Sequence, residues 1–99
     1  MKKNMLLPYG SVVTIKGGTI KYEIIGLLVK NRKTRYDYCA IELPKGYLGK
    51  DTLIAFNHDN IDKVIFEGYS DDKIESYIED VVWFKNRGDK NGKWFITNR

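Results

Sequence analysis

The chain has 99 residues, of which 42% are hydrophobic and 13% are aromatic, and its formal net charge is +4. This length fits one compact domain, and the apolar content excludes a disordered, highly charged tail. The stretch Met5–Leu7 is too short for a signal peptide, and no segment approaches the roughly 20 apolar residues of a membrane helix. The single cysteine, Cys39, cannot form an internal disulfide, which is typical of a reducing compartment. We therefore expect a cytoplasmic protein that does not insert into a membrane.

Charge is distributed unevenly along the chain. Residues 1–50 contain ten Lys/Arg and three Asp/Glu, residues 51–84 contain two and nine, and residues 85–99 contain five and one. This segregation predicts one basic surface, one acidic surface and a basic tail. It excludes a uniformly basic nucleic-acid-binding protein but leaves a basic patch open.

Five short segments in the first two thirds of the chain have strand-like patterns. Val13 and Ile15 alternate with polar residues, and Gly17-Gly18 predicts a tight hairpin after them. Gly26 interrupts the alternation of the second segment, which predicts a bulge in a long, bent strand. Short loops favour antiparallel pairing. The predicted strands are SVVTIK, TIKYEIIGLLVK, YDYCAIEL, TLIAF and KVIFEGY.

After Tyr69, the spacing of the apolar residues changes from every second residue, as in a strand, to the spacing of a helix. In SDDKIESYIEDVVWFK the apolar residues recur at helical spacing, Ser70 is the predicted N-cap, and Gly88 is a stop signal. We expect one domain, 1–99, with a flank at 1–6, a sheet region at 7–69, a helix at 70–87 and a basic tail at 88–99 that is either a short strand or disordered. The predicted fold class is α+β, mainly β: a small curled antiparallel sheet or an SH3-like barrel of about five strands with a C-terminal amphipathic helix.

The only histidine lies in Phe56–Ile61, between the fourth and fifth predicted strands. Asn57 is placed to cap a single helical turn, with His58 and Asp59 in its exposed first positions, and Gly68 is a second structural turn residue. The alternative is a hydrolase centred on His58. A metal site needs more His or Cys ligands than one histidine offers, and the sole thiol lies within a strand among apolar neighbours. We therefore predict a protein that is not an enzyme, with no catalytic residue, no metal and no cofactor.

Two sets of residues are candidates for binding. Basic and aromatic residues interleave between the second and third strands, a pattern that favours stacking of unpaired bases. The helix and tail carry more large aromatics than one buried helix face needs, which favours a protein partner. The nucleic-acid set is Arg32, Lys33, Arg35, Tyr36 and Tyr38, and the protein-partner set is Tyr77, Trp83, Phe84, Trp94 and Phe95.

Three segments together resemble a bacterial protein family. LPYGSVVTIKGGTIKYEIIG, YDYCAIELPKGYLG and FNHDNIDKVIFEGYSDD follow one another in an order similar to that of domain of unknown function 4176, a family of Gram-positive bacteria. The resemblance covers residues 7 to about 80 and does not extend to the tail. It implies an association with type VII secretion toxins of the LXG class, for which some proteins of this kind act as accessory or targeting chaperones. It transfers no catalytic residue.

The leading hypothesis is thus a non-enzymatic interaction module that acts as an accessory or targeting chaperone for a secreted LXG-type toxin. The alternative is a nucleic-acid-binding small β-barrel protein. Neither hypothesis predicts an oligomeric state.

Overall fold

The computed structural model describes residues 6–31 and 34–87. The strands are β1 (Val12–Ile15), β2 (Lys21–Asn31), β3 (Thr34–Glu42), β4 (Leu53–Phe56) and β5 (Ile61–Phe66), and the helix is α1 (Asp72–Arg87). All five strands form one antiparallel sheet in the order β4-β3-β2-β1-β5. In this part of the chain, no helix has the length and apolar character that crossing a bilayer requires.

The predicted antiparallel sheet with a C-terminal helix is confirmed. The sheet is open rather than closed into a barrel, because β4 and β5 are its two edges. Closure would need hydrogen bonding between those edges. Of the two forms predicted, the open sheet is therefore the one that this protein adopts.

One face of the sheet forms the core with the helix. Side chains of successive residues along a strand alternate between the two faces, so Val13 and Ile15 of β1 and Tyr38 and Ala40 of β3 lie on the core side. From α1, Ile78 and Val81 pack into this layer, and the segment before β1 adds two leucines. The fully or nearly fully buried core comprises Leu6, Leu7, Val13, Ile24, Leu28, Tyr38, Ala40, Phe56, Ile78 and Val81.

The bulge predicted at Gly26 is confirmed. The register between β2 and β3 shifts between Ile24 and Gly26, so that Ile24 faces Ala40 while Gly26 faces Cys39. A Cβ at Gly26 would lie 3.3 Å from the Cys39 Cβ, tighter than ordinary van der Waals contact. The missing side chain therefore lets β2 bend over β3 without a clash.

The helix begins one residue later than Ser70 would place it. Asp71 is the N-cap: its Oδ1 accepts a hydrogen bond from the Ile74 amide at 2.9 Å, and its carbonyl accepts one from the Glu75 amide at 2.8 Å. The predicted cap at Ser70 is wrong. A carboxylate is a stronger acceptor than a hydroxyl, and its charge is favourable at the positive end of the helix dipole.

Because the Asp71 carboxyl titrates, this cap makes the stability of the helix depend on pH in the acid range. The hydrogen bond from Ile74 holds the pKa of the Asp71 carboxyl below its usual value of 3.8. Because the pKa is depressed in the folded state, the contribution is complete above about pH 3.8 and is lost as the pH falls through the lowered value. Asp71→Asn keeps an acceptor but does not titrate. We expect the urea midpoint of the wild type to fall more on acidification than that of Asp71→Asn, and equal falls would contradict the assignment.

Candidate functional site

Tyr38 and His58 meet where β3 and β4 lie side by side. The Tyr38 hydroxyl accepts a hydrogen bond from the Leu7 amide at 2.9 Å and lies 2.7 Å from His58 Nδ1. The imidazole tautomer sets the direction of this second hydrogen bond: the phenol proton is donated to an unprotonated Nδ1, whereas a protonated Nδ1 donates to the phenol oxygen. Burial raises the pKa of the Tyr38 phenol well above its usual value of 10.0, so the hydroxyl keeps this proton.

Asp37 extends this contact into a polar cluster that we define as Asp37, Tyr38, Asn57, His58 and Lys85. Asp37 is buried, and its Oδ2 accepts a hydrogen bond from the His58 amide at 2.8 Å. Its Oδ1 lies 2.8 Å from the Lys85 ammonium, and its own amide donates to Asn57 Oδ1 at 3.0 Å. The cluster therefore joins the N-terminal segment, β3, the turn after β4 and the last turns of α1.

A pocket of about 320 Å³ opens beside the polar cluster. Its described lining contains no serine, threonine or cysteine that could act as a nucleophile. Both oxygens of Asp37 and Nδ1 of His58 are already engaged in contacts within the fold. The pocket is lined by Leu28, Arg35, Tyr36, Asp37, Asn57, Asp59 and Lys85.

The polar cluster thus connects β3 to the N-terminal segment, to the turn after β4 and to α1. Within residues 6–31 and 34–87, no group of three or more His, Cys, Asp or Glu side chains is placed to hold a metal ion.

A second contact joins the start of the chain to the end of β5. Ser11 is fully buried, and its hydroxyl donates to the Pro8 carbonyl at 2.7 Å while accepting from the Gly68 amide at 2.9 Å. A Cβ at Gly68 would collide with the Tyr9 carbonyl oxygen and lie 2.8 Å from the Ser11 nitrogen. Glycine is required at position 68 because backbone fills the space that any side chain would need.

The predicted turn residues lie at these two contacts. Asn57 directly precedes a 3₁₀ turn, His58–Asn60, and its backbone amide donates a hydrogen bond to Asn60 Oδ1 at 2.8 Å. The expectation that His58 is exposed is wrong: the residue is half-buried, and its ring centroid lies 5.8 Å from that of Tyr38, with the two rings tilted by 38°. The sequence did not reveal this contact, since the two residues are 20 positions apart.

The predicted nucleic-acid residues do not form one exposed platform. Tyr38 is fully buried and cannot stack on a base without unfolding, which corrects its assignment to this set. Arg35 and Tyr36 line the pocket beside the polar cluster. Arg32 and Lys33 lie outside the described residues.

The predicted protein-partner residues divide in a similar way. Trp83 is 58% exposed, whereas Tyr77 and Phe84 are half-buried and pack against the core. Trp94 and Phe95 lie outside the part of the chain that the structure describes. Of the three predicted residues on α1, Trp83 is therefore the one that is mostly exposed to solvent.

An exposed apolar patch that the sequence did not reveal lies at the edge of the sheet. We define the β5 patch as Val64, Ile65, Phe66 and Tyr69, which are 44%, 48%, 61% and 70% exposed. A run such as Val64–Phe66 is typical of a strand buried on both faces. In this fold the run is exposed, and β5 lies at an edge of the sheet.

These features define a small α+β domain whose polar motif residues bind its elements together and whose apolar side chains are exposed along one sheet edge. The chain belongs to the family described as domain of unknown function (DUF4176), whose model matches residues 6–76. The match includes the whole sheet, the contact between Tyr38 and His58 and the contact between Ser11 and Gly68, whereas Lys85 lies outside it. No curated protein and no solved structure matches the chain.

Proposed function

We propose that this protein is a non-enzymatic protein-interaction module that acts as an accessory or targeting chaperone for a type VII secreted toxin of the LXG class. The observation that carries the proposal is the β5 patch. Large apolar side chains gathered at an exposed sheet edge favour association with another protein. The LXG link rests on the resemblance of the motifs to DUF4176, and the structure supports only the interaction surface.

The form of β5 favours recognition through side chains. The pairing with β1 shifts twice: Val12 and Val13 face Phe66 and Val64, which leaves Ile65 as an extra residue in β5. A second shift lies between the pairs of Thr14 and Ile15. Bulges of this kind disrupt the regular backbone edge and discourage pairing with an arbitrary strand. A partner would therefore contact the projecting apolar groups rather than simply extend the ladder.

The charges beside the patch define the chemistry of that partner. Asp62 and Glu67 are exposed at the two ends of the patch, and Asp71 follows Tyr69 closely. Lys63 is the one basic residue within β5. Opposite charge across an interface favours encounter and orientation. We expect the contacted segment of the toxin to combine apolar side chains with lysine or arginine.

Co-purification with an LXG-type toxin encoded beside this protein tests the proposal. We expect a complex at micromolar concentrations, and Phe66→Ser should weaken it at least about tenfold, as for a residue central to an interface. The matched control is Leu48→Ser, which removes an equally exposed apolar side chain, 69% against 61%, from a loop far along the sequence from β5. Absence of a complex would refute the chaperone role, and equal losses in both variants would refute the β5 patch as its site.

A further inference from the structure

Three residues form a polar row across the face of the sheet that lies opposite the core side. Thr14 of β1 faces Lys21 of β2 on one side and Lys63 of β5 on the other. Side chains of directly opposed residues in antiparallel strands lie on the same face, with Cβ atoms about 5 Å apart. We propose that this basic row, Lys63-Thr14-Lys21, binds a phosphate dianion, either free or as a monoester. The basic row shares no residue with the β5 patch.

The hydroxyl of Thr14 is buried without a hydrogen-bond partner. Thr14 is 8% exposed, and its Oγ1 makes no hydrogen bond with any of the residues that the structure describes. Its neighbours Val13 and Ile15 pack against the core, so Thr14 points to the other face. A buried hydroxyl without a partner costs free energy that a valine of the same shape would not cost, and a bound ion is one explanation for such a group. An oxygen of a bound phosphate would accept the hydroxyl proton.

The two lysines supply the positive charge for a dianion. Both are exposed, and neither forms an ion pair with a carboxylate in the described part of the chain. Neighbouring strands lie about 4.8 Å apart, so the Cα atoms of Lys21 and Lys63 are separated by about 10 Å, with Thr14 between them. Because lysine side chains are long and flexible, both ammonium groups can converge over Thr14, and their movement opens the hydroxyl to an anion. A phosphate dianion would neutralise both charges, whereas a carboxylate or a phosphodiester would neutralise one.

One carboxylate limits the affinity of the basic row. Glu23 follows Lys21 by two residues in β2, so it lies on the same face, about 7 Å further along the strand. Its negative charge repels an anion bound over Thr14 at a distance comparable with the Debye length in physiological salt. We therefore expect affinity for phosphate in the millimolar range, and tighter binding when the charge of Glu23 is removed.

Titration with inorganic phosphate, followed by amide NMR against chloride of matched ionic strength, tests the proposal. We expect the amide signals of Thr14, Lys21 and Lys63 to shift together and to reach saturation. Thr14→Val should weaken binding about tenfold, as for the loss of a hydrogen bond to a charged group. Lys21→Met and Lys63→Met should each weaken it about threefold, because exposed charges contribute less. Glu23→Gln should strengthen it about twofold.

Lys30→Met is the matched control. Lys30 is exposed at the opposite end of β2 from Lys21, where it faces another cation, Arg35. Its substitution should leave the phosphate affinity measured at the Thr14 amide unchanged. Thr14→Val should keep or raise the urea midpoint, since it removes a buried polar group without a partner, and weaker binding in this variant then does not reflect unfolding. Unchanged phosphate affinity in Thr14→Val, or amide shifts that chloride alone reproduces, would overturn the proposal.

Methyl phosphate and a short single-stranded DNA identify the source of the phosphate group. Methyl phosphate that binds as tightly as inorganic phosphate supports a monoester ligand, and weaker binding of the ester supports free phosphate. The DNA carries diester monoanions, and we expect it to bind more weakly than inorganic phosphate at equal ionic strength. DNA that binds more tightly than inorganic phosphate, with the same loss in Lys21→Met, would overturn the proposal in favour of a nucleic-acid surface.

Discussion

Gly68→Ala is expected to destabilise the folded state by at least about 3 kcal/mol, at the upper end of the cost of overpacking. The added methyl group would meet three backbone atoms: the Tyr9 carbonyl oxygen, the Ser11 nitrogen and the Gly10 carbonyl carbon. Backbone cannot rotate aside as the end of a long side chain can. Any separation of these two segments also lengthens the 2.9 Å hydrogen bond from the Gly68 amide to the buried Ser11 hydroxyl. Urea unfolding followed by circular dichroism measures the change.

Gly18→Ala is the matched control for this substitution. Gly18 also lies in a turn, but a Cβ there would meet nothing nearer than the Ile15 carbonyl oxygen at 3.8 Å. We expect its effect to stay within about 0.5 kcal/mol. If Gly68→Ala proved as mild as Gly18→Ala, the close approach of the start of the chain to the end of β5 would be incorrect.

Asp37→Ala is expected to destabilise the protein by about 2–3 kcal/mol. The substitution removes the acceptor of the His58 amide and the partner of Lys85 in one step, and the carboxylate that is lost is buried. An amide that loses its acceptor in a partly buried position costs more than the net value of its hydrogen bond. Lys85 contributes less, because its side chain is 43% exposed and water can solvate the ammonium once its partner is gone.

A double-mutant cycle separates these two contributions. Asp37→Asn keeps a side-chain oxygen for the His58 amide but removes the negative charge, and Lys85→Met removes the positive charge while keeping an apolar stem. We expect a coupling energy of less than about 1 kcal/mol between Asp37 and Lys85, with most of the cost of Asp37→Ala restored by Asp37→Asn. A larger coupling energy and an equally damaging Asp37→Asn would mean that the ion pair, and not the His58 amide, stabilises this part of the fold.

The two contacts tested by these substitutions give the family motifs a physical role. The segment Pro8–Ser11 meets the glycine of Glu67-Gly68-Tyr69, and Asp37-Tyr38 meets Asn57-His58. Each contact joins segments that are distant along the chain, by 57 positions for Ser11 and Gly68. Because the polar groups of the motifs are used within the fold, the residues most available to a partner are the exposed apolar ones at β5 and at Trp83.

Local patterns in the sequence determined the type of each element. The alternation in β1 and β3, the interruption at Gly26 and the helical spacing after Tyr69 predicted the strands, the bulge and α1, because each signal arises from neighbours in the chain. The tertiary structure alone decided which strands became the edges of the sheet and that Phe66 is exposed. It also decided that Tyr38 is buried against His58. These outcomes depend on strand order and on contacts between distant residues, which the period of a short segment does not encode.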